Sequence, residues 1–148
     1  MGQAAAIEQD TQLQSGCESR RTVVVVDDDD AMRQAIERLL TCSGFEAQVF
    51  ASAGALLQSG TAGSAACLVL DVQLPDQTGF ELQRTLTLAG ARRPVIFITG
   101  FDSPNARAEA ARVVAARLLH KPFRGQQLLD AIAAVIDGDW KRLHPFEE

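Results

Sequence analysis

Four short apolar runs, each closed by a polar or charged residue, constrain this chain more than any other feature. They are Val23–Val26 before Asp27, Cys67–Leu70 before Asp71, Val95–Ile98 before Thr99, and Leu118-Leu119 before His120 and Lys121. Aliphatic runs without alternation bury both faces, the pattern of strands inside a parallel sheet. A fifth segment, Glu46–Phe50, reads as a further short strand. Helical spacing separates these runs. Met32, Ile36, Leu39 and Leu40 precede a stop at Gly44, and Ser52 caps a short helix that ends near Gly60. Phe80, Leu82, Leu86 and Leu88 mark a third helix, and the Ala- and Arg-rich stretch 104–116 a fourth. Leu128, Leu129, Ile132, Val135 and Ile136 mark a fifth. Five strand–helix units in succession predict an α/β fold, a doubly wound parallel sheet covered on both faces. Right-handed crossovers point every strand the same way. The strand C-termini then share one rim, where open α/β sheets hold their ligands.

The 148 residues suffice for one domain. The expected division is a flexible tail over 1–20, a domain over 21–137 and a short tail over 138–148. A net charge of −5 argues against a surface dominated by nucleic-acid contacts, which need clustered Lys and Arg. Cys17, Cys42 and Cys67 are odd in number, far apart and outside CxxC spacing. They support neither a disulfide framework nor a thiolate metal site, and fit a reducing, cytoplasmic setting. No apolar run approaches the roughly 18 residues of a membrane span, and the N-terminal segment lacks the basic start and apolar core of a secretory signal.

The rim gathers Asp27, Asp28, Asp71, Thr99 and Lys121. Asp29 and Asp30 read as ordinary cap and first-turn residues, favoured by the helix dipole. Asp27 and Asp28 do not, because they sit on a buried strand end, where paired carboxylates repel unless a cation joins them. An all-oxygen donor set of this kind suits Mg²⁺, which takes one or two carboxylates and keeps several waters. Residue 73 is Gln, which argues against the DxD pattern of a metal-dependent phosphohydrolase. No GxxxxGK[ST] or GxGxxG loop is present, so a nucleotide cradle is not expected. Neither His120 nor His144 is placed for a hydrolytic triad.

Four segments, VVVVDDDDAMR (23–33), LVLDVQLPDQTGFEL (68–82), VIFITG (95–100) and HKPF (120–123), carry a resemblance. In order, spacing and strand context the chain resembles the receiver domain of two-component response regulators, and most nearly the receivers of nitrogen-fixation-type regulators. The resemblance covers residues 21–137. It implies a flavodoxin-like (βα)5 sheet of strand order 2-1-3-4-5. It also implies that Asp71 is the phosphoacceptor, with Mg²⁺ held by Asp28 directly, by Asp27 mostly through water, by Asp71 and by the Gln73 backbone carbonyl. Thr99 and Lys121 would hold phosphoryl oxygens, a sensor histidine kinase or phosphotransfer protein would be the donor, and the Lys121–Pro122 peptide would be cis. Such a protein is a signalling phosphoacceptor that supports only its own phosphorylation and dephosphorylation. These roles agree with the chemistry, because phosphoryl transfer needs positioning and charge neutralisation more than covalent machinery.

Two positions depart from the family pattern. Leu118 stands where the family usually has Tyr or Phe, so no aromatic ring can report the switch there. Phe101 stands two residues after Thr99, at a position that influences phosphoryl lifetime in the family. The residues after Ile136 hold no recognisable output domain, so a stand-alone receiver or one cut from an output domain is expected. Its output would be a downstream protein partner, with dimerisation through the 104–137 face and no membrane or direct nucleic-acid contact. The competing class is a pseudo-receiver, a constitutive interaction module without phosphoryl chemistry.

Overall fold

The computed structural model describes residues 21–101, 103–113 and 116–138. The expected tails, 1–20 and 138–148, lie outside these residues, Gly138 apart. Five strands form one sheet: β1 (Thr22–Val26), β2 (Glu46–Phe50), β3 (Cys67–Asp71), β4 (Val95–Thr99) and β5 (Ala116–His120). Every neighbouring pair is parallel and the spatial order is β2-β1-β3-β4-β5, the expected 2-1-3-4-5 arrangement.

Strand side chains alternate between faces, so the apolar runs supply two cores at once. Val24, Val26, Leu68, Leu70, Val95 and Phe97 meet one helical layer, and Val23, Val25, Cys67, Val69, Ile96 and Ile98 meet the other. The first layer holds α2 (Ala53–Ser59), α3 (Gly79–Leu88) and α4 (Pro104–Ala111), and the second holds α1 (Asp30–Cys42) and α5 (Gly125–Ala133). One π-helical turn, Ala134–Gly138, continues α5. Among the described residues, no helix is long and apolar enough to cross a membrane.

Local signals set most helix ends. Asp29 caps α1, and Gly44 follows its end with φ +94°. Ser52 caps α2, which ends at Gly60 in the left-handed region. Ser103 caps α4 with Pro104 at its start. The expected helix over 104–116 is too long: α4 stops at Ala111, and Ala116 already belongs to β5, paired with Val95 of β4. The backbone N–H groups of Arg112 and Val113 reach carbonyls only three residues back, tightening the last turn. Val113 then packs on the core, and β5 begins at Ala116 beside β4.

The β3–α3 connection is held by a close backbone approach. A Cβ on Gly79 would lie 2.4 Å from the Asp71 carbonyl oxygen and 3.3 Å from Val72 Cα, both backbone atoms. The Gly79 N–H donates to the Val72 carbonyl at 2.8 Å, so the segment cannot easily retreat. Gly79→Ala is expected to destabilise the protein by about 1–3 kcal/mol, read as a lower urea midpoint with an unchanged slope.

Candidate functional site

Backbone register assembles the rim. Val26 pairs with Leu70, so Asp27 and Asp71 are the next residues on adjacent strands. The ladder continues past the strand ends through Asp27 N–H to Phe50 carbonyl (3.1 Å), Val72 N–H to Ile98 carbonyl (2.8 Å) and Lys121 N–H to Thr99 carbonyl (2.8 Å). Asp27, Asp71 and Lys121 share the parity of Val25, Val69 and Leu119, which all belong to the face covered by α1 and α5. That shared parity brings their side chains together.

The Lys121 ammonium lies 3.0 Å from Asp71 Oδ2 and 3.2 Å from Asp27 Oδ2. Asp27 and Asp71 are buried and Asp28 is exposed. Asp71 Oδ1 accepts the Gln73 N–H at 2.9 Å, and Asp27 Oδ1 accepts the Asp29 N–H at 2.9 Å. Burial holds the Asp27 carboxyl above the ordinary carboxylate range, and the Asp71 charge adds to this. The Asp29 N–H and the Lys121 charge oppose it without cancelling it. Burial alone would lower the Lys121 pKa, but its bond to Asp71 and the charges of Asp27 and Asp71 win, leaving it above the ordinary lysine value.

Asp27, Asp28 and Asp71 offer carboxylate oxygens that lie within 4.8 Å of one another. Asp27 Oδ2 is buried and, beyond the ion pair with Lys121, accepts no well-directed hydrogen bond. A buried anionic oxygen with spare acceptor capacity, in an all-oxygen cluster with one cation for three carboxylates, fits a hard divalent ion. A concavity of about 510 Å³ opens over these groups, with Asp28, Asp71, Gln73, Gly100 and Lys121 in its wall.

Thr99 is placed differently. It is buried at the end of β4, and its hydroxyl both donates to the Phe101 carbonyl (3.0 Å) and accepts the Phe101 N–H (3.1 Å). In this structure the Thr99 hydroxyl is therefore tied to its own loop. Asp29 serves as the α1 cap, accepting from Ala31 and Met32 N–H groups, and Asp30 pairs with Arg33 in the first turn, as expected for both. The Lys121–Pro122 peptide is cis. Leu118 is half-buried and packs on the core that contains Phe97.

Two supporting residues escaped the sequence reading. Arg33 Nη1 donates to the Asp27 carbonyl at 2.7 Å, fixing the strand exit. Asp76 accepts the Gly54 N–H at 2.9 Å and the Ala53 N–H at 3.3 Å, tying the β3–α3 loop to the start of α2. The Gly54 bond, more than any other influence, lowers the Asp76 pKa. Arg33 was legible as an i,i+3 partner of Asp30. The Asp76 contact spans 22 residues, and no local spacing announces it.

Residues 23–133 match the family described as the response regulator receiver domain, and the chain belongs to that family. It is similar to nodulation protein W of Bradyrhizobium diazoefficiens, 40% identical over 124 residues, covering 84% of this chain and 55% of that protein. It is also similar to the transcriptional regulatory protein FixJ of Azorhizobium caulinodans, 38% identical over 112 residues, covering 76% of this chain and 53% of that one. The chain thus spans about half the length of the curated relatives it matches. The crystal structure of a CheY-like receiver domain protein from Methanospirillum hungatei superposes with a TM-score of 0.74 at 25% identity, over 83% of this chain and 98% of that one. Family and strand order are as the four motif segments implied.

The raised Asp27 value has a sign that can be measured. The folded state binds this proton more readily than the unfolded chain, so stability falls as pH rises from the ordinary carboxylate range through the raised value. Without divalent cations, the protein is expected to resist urea better at about pH 5.5 than at about pH 7.5. Asp27→Ala is expected to remove much of that difference.

Proposed function

We propose that the protein is a phosphoacceptor in a two-component phosphorelay, taking a phosphoryl group on Asp71 from a phosphohistidine of a sensor kinase or phosphotransfer protein. The observation that carries this reading is the Lys121 ammonium, placed 3.0 Å from Asp71 Oδ2 at the floor of an open concavity. In the transfer, an Asp71 carboxylate oxygen attacks phosphorus, the oxygen–phosphorus bond forms and the bond to the histidine nitrogen breaks. A carboxylate nucleophile needs no base to activate it. Lys121 stays beside the reacting oxygens and offsets their charge. Gly100 has open space where a Cβ would stand, which leaves room for the donor ring beside Thr99.

Asp27, Asp28, Asp71 and the Gln73 backbone carbonyl would hold Mg²⁺. When bound, the ion supplies charge neutralisation for the incoming phosphoryl oxygens. The new aspartyl phosphate carries roughly −2 charge and fresh acceptor oxygens. In our reading the Thr99 hydroxyl leaves Phe101 for these oxygens, and the loop before α4 follows. The 104–137 face is then the output surface, for a downstream partner, an output domain or a second copy. Residues 21–137 form the receiver unit, flanked by tails over 1–20 and 138–148, and the protein works in the cytoplasm.

Incubation with Mg²⁺ and acetyl phosphate is expected to add one phosphoryl group to the intact mass, with no gain in Asp71→Asn. Lys121→Ala is expected to slow uptake about a hundredfold. No mass gain in the parent protein would favour the pseudo-receiver, and sustained multiple turnover of donor would favour a phosphohydrolase. The lifetime of the phosphoryl group gives a separate test. Phe101 is 62% exposed, on a backbone tied to Thr99, where its ring would screen attacking water. Phe101→Ala is expected to shorten the half-life of phospho-Asp71, measured by timed intact-mass spectra. An equal or longer half-life would refute this role.

A further inference from the structure

A groove of about 410 Å³ lies between α3 and α4, away from the carboxylate rim. Its α3 side is a stripe at four-residue spacing, Phe80, Arg84 and Leu88. Its α4 side is the end of that helix, with Glu109, Arg112 and Val113. Leu88 is 89% exposed, unusual for a large aliphatic side chain beside an apolar floor. Phe80 is nearly buried and firmly seated, with its ring 4.6 Å from that of Phe97.

The charge around this floor opposes that of the whole molecule. Four arginines, the two already named with Arg92 and Arg93, line the groove against one glutamate, in a chain of net charge −5. Arg93 is engaged with the Gly63 carbonyl and serves as framework. Arg84 meets Glu109 at 3.7 Å with both side chains substantially exposed. Such a surface pair contributes about 0–1 kcal/mol and yields readily to a better anion. Arg112 is exposed, and among the described residues its side chain has no ion pair or hydrogen bond.

We propose that this groove docks an acidic peptide segment of a partner protein, anchored by a bulky apolar side chain. The anchor would sit on Phe80, Val113 and Leu88 while its flanking carboxylates meet Arg84 and Arg112. A groove of this volume falls in the range that holds a ligand group, about 300–1,000 Å³. Nucleic acid is the poorer fit. Its backbone needs an uninterrupted row of cations and has no use for an apolar floor, and the negative whole-molecule charge repels it. The proposal does not depend on phosphoryl chemistry at Asp71, and the groove shares only its α4 wall with the 104–137 face, its other wall being α3.

The test uses the full chain, labelled with ¹⁵N, and three 15-residue peptides. One combines Glu and Asp with Leu and Phe, one replaces its acids by Lys, and one replaces its Leu and Phe by Ser. The first is expected to give saturable shifts confined to residues 80–93 and 109–113, with a Kd below about 1 mM. The other two are expected to bind at least tenfold more weakly. The Arg84→Glu, Arg112→Glu double variant is expected to lose at least tenfold in affinity while keeping the parent thermal melt. Leu88→Ser is expected to weaken binding with the charges intact. No saturable shift below about 1 mM, equal binding of the Lys peptide, or preferential binding of a 15-nucleotide single-stranded DNA would overturn the proposal. So would unchanged affinity in a normally folded double variant.

Discussion

One ammonium shared by two buried carboxylates is the interaction on which the functional rim depends. Burying Asp27 and Asp71 side by side is costly, because each loses hydration and each repels the other. Lys121 makes the arrangement tolerable, within 3.2 Å of both. Its location is not left to side-chain flexibility, since its own backbone N–H closes on the Thr99 carbonyl and extends the β4–β5 ladder. With Asp28 nearby the rim still carries more negative than positive charge, and Asp27 Oδ2 keeps unused acceptor capacity. The site is therefore satisfied enough to fold and unsatisfied enough to favour a further cation.

The scaffold around that triad is stiff where chemistry needs precision. β3 and β4 are buried along their whole length, and each is bordered by strands on both sides. The segment after Asp71 is held at four points: the Gln73 N–H on Asp71, the Gly79 approach, the Thr78–Glu81 capping box and the Asp76 tie to α2. By contrast, among the described residues the Thr99 hydroxyl is tied only to Phe101, two residues away. A hydroxyl bound to its own loop can exchange that loop for another acceptor at small cost, because one hydrogen bond replaces another. The same fold thus offers a fixed carboxylate beside a group whose partner can change.

Much of this was legible without coordinates. The strands could be read because valine and leucine runs with no alternation have few other stable placements than a doubly covered sheet. The acid–hydroxyl–lysine rim could be read because parallel strands must all end on one edge. The end of α4 could not. An Ala-rich stretch carries helical propensity well past the point where packing stops the helix, and propensity is the weaker influence. Leu118 could be identified as a departure from the family pattern, but its half-buried packing on the Phe97 core could not.

The sequence by itself determined the fold class, the strand order through family resemblance, and which residue types meet at the rim. These follow from local periodicity and chain connectivity, which a linear string records. The tertiary structure alone decided the parity that brings Lys121 onto Asp27 and Asp71, and the engagement of Thr99 with Phe101. It also decided the long-range tie from Asp76 to α2 and the arginine-walled groove between α3 and α4. Each of these depends on distances between residues far apart in the chain, set by sheet register and helix packing rather than by spacing along the sequence.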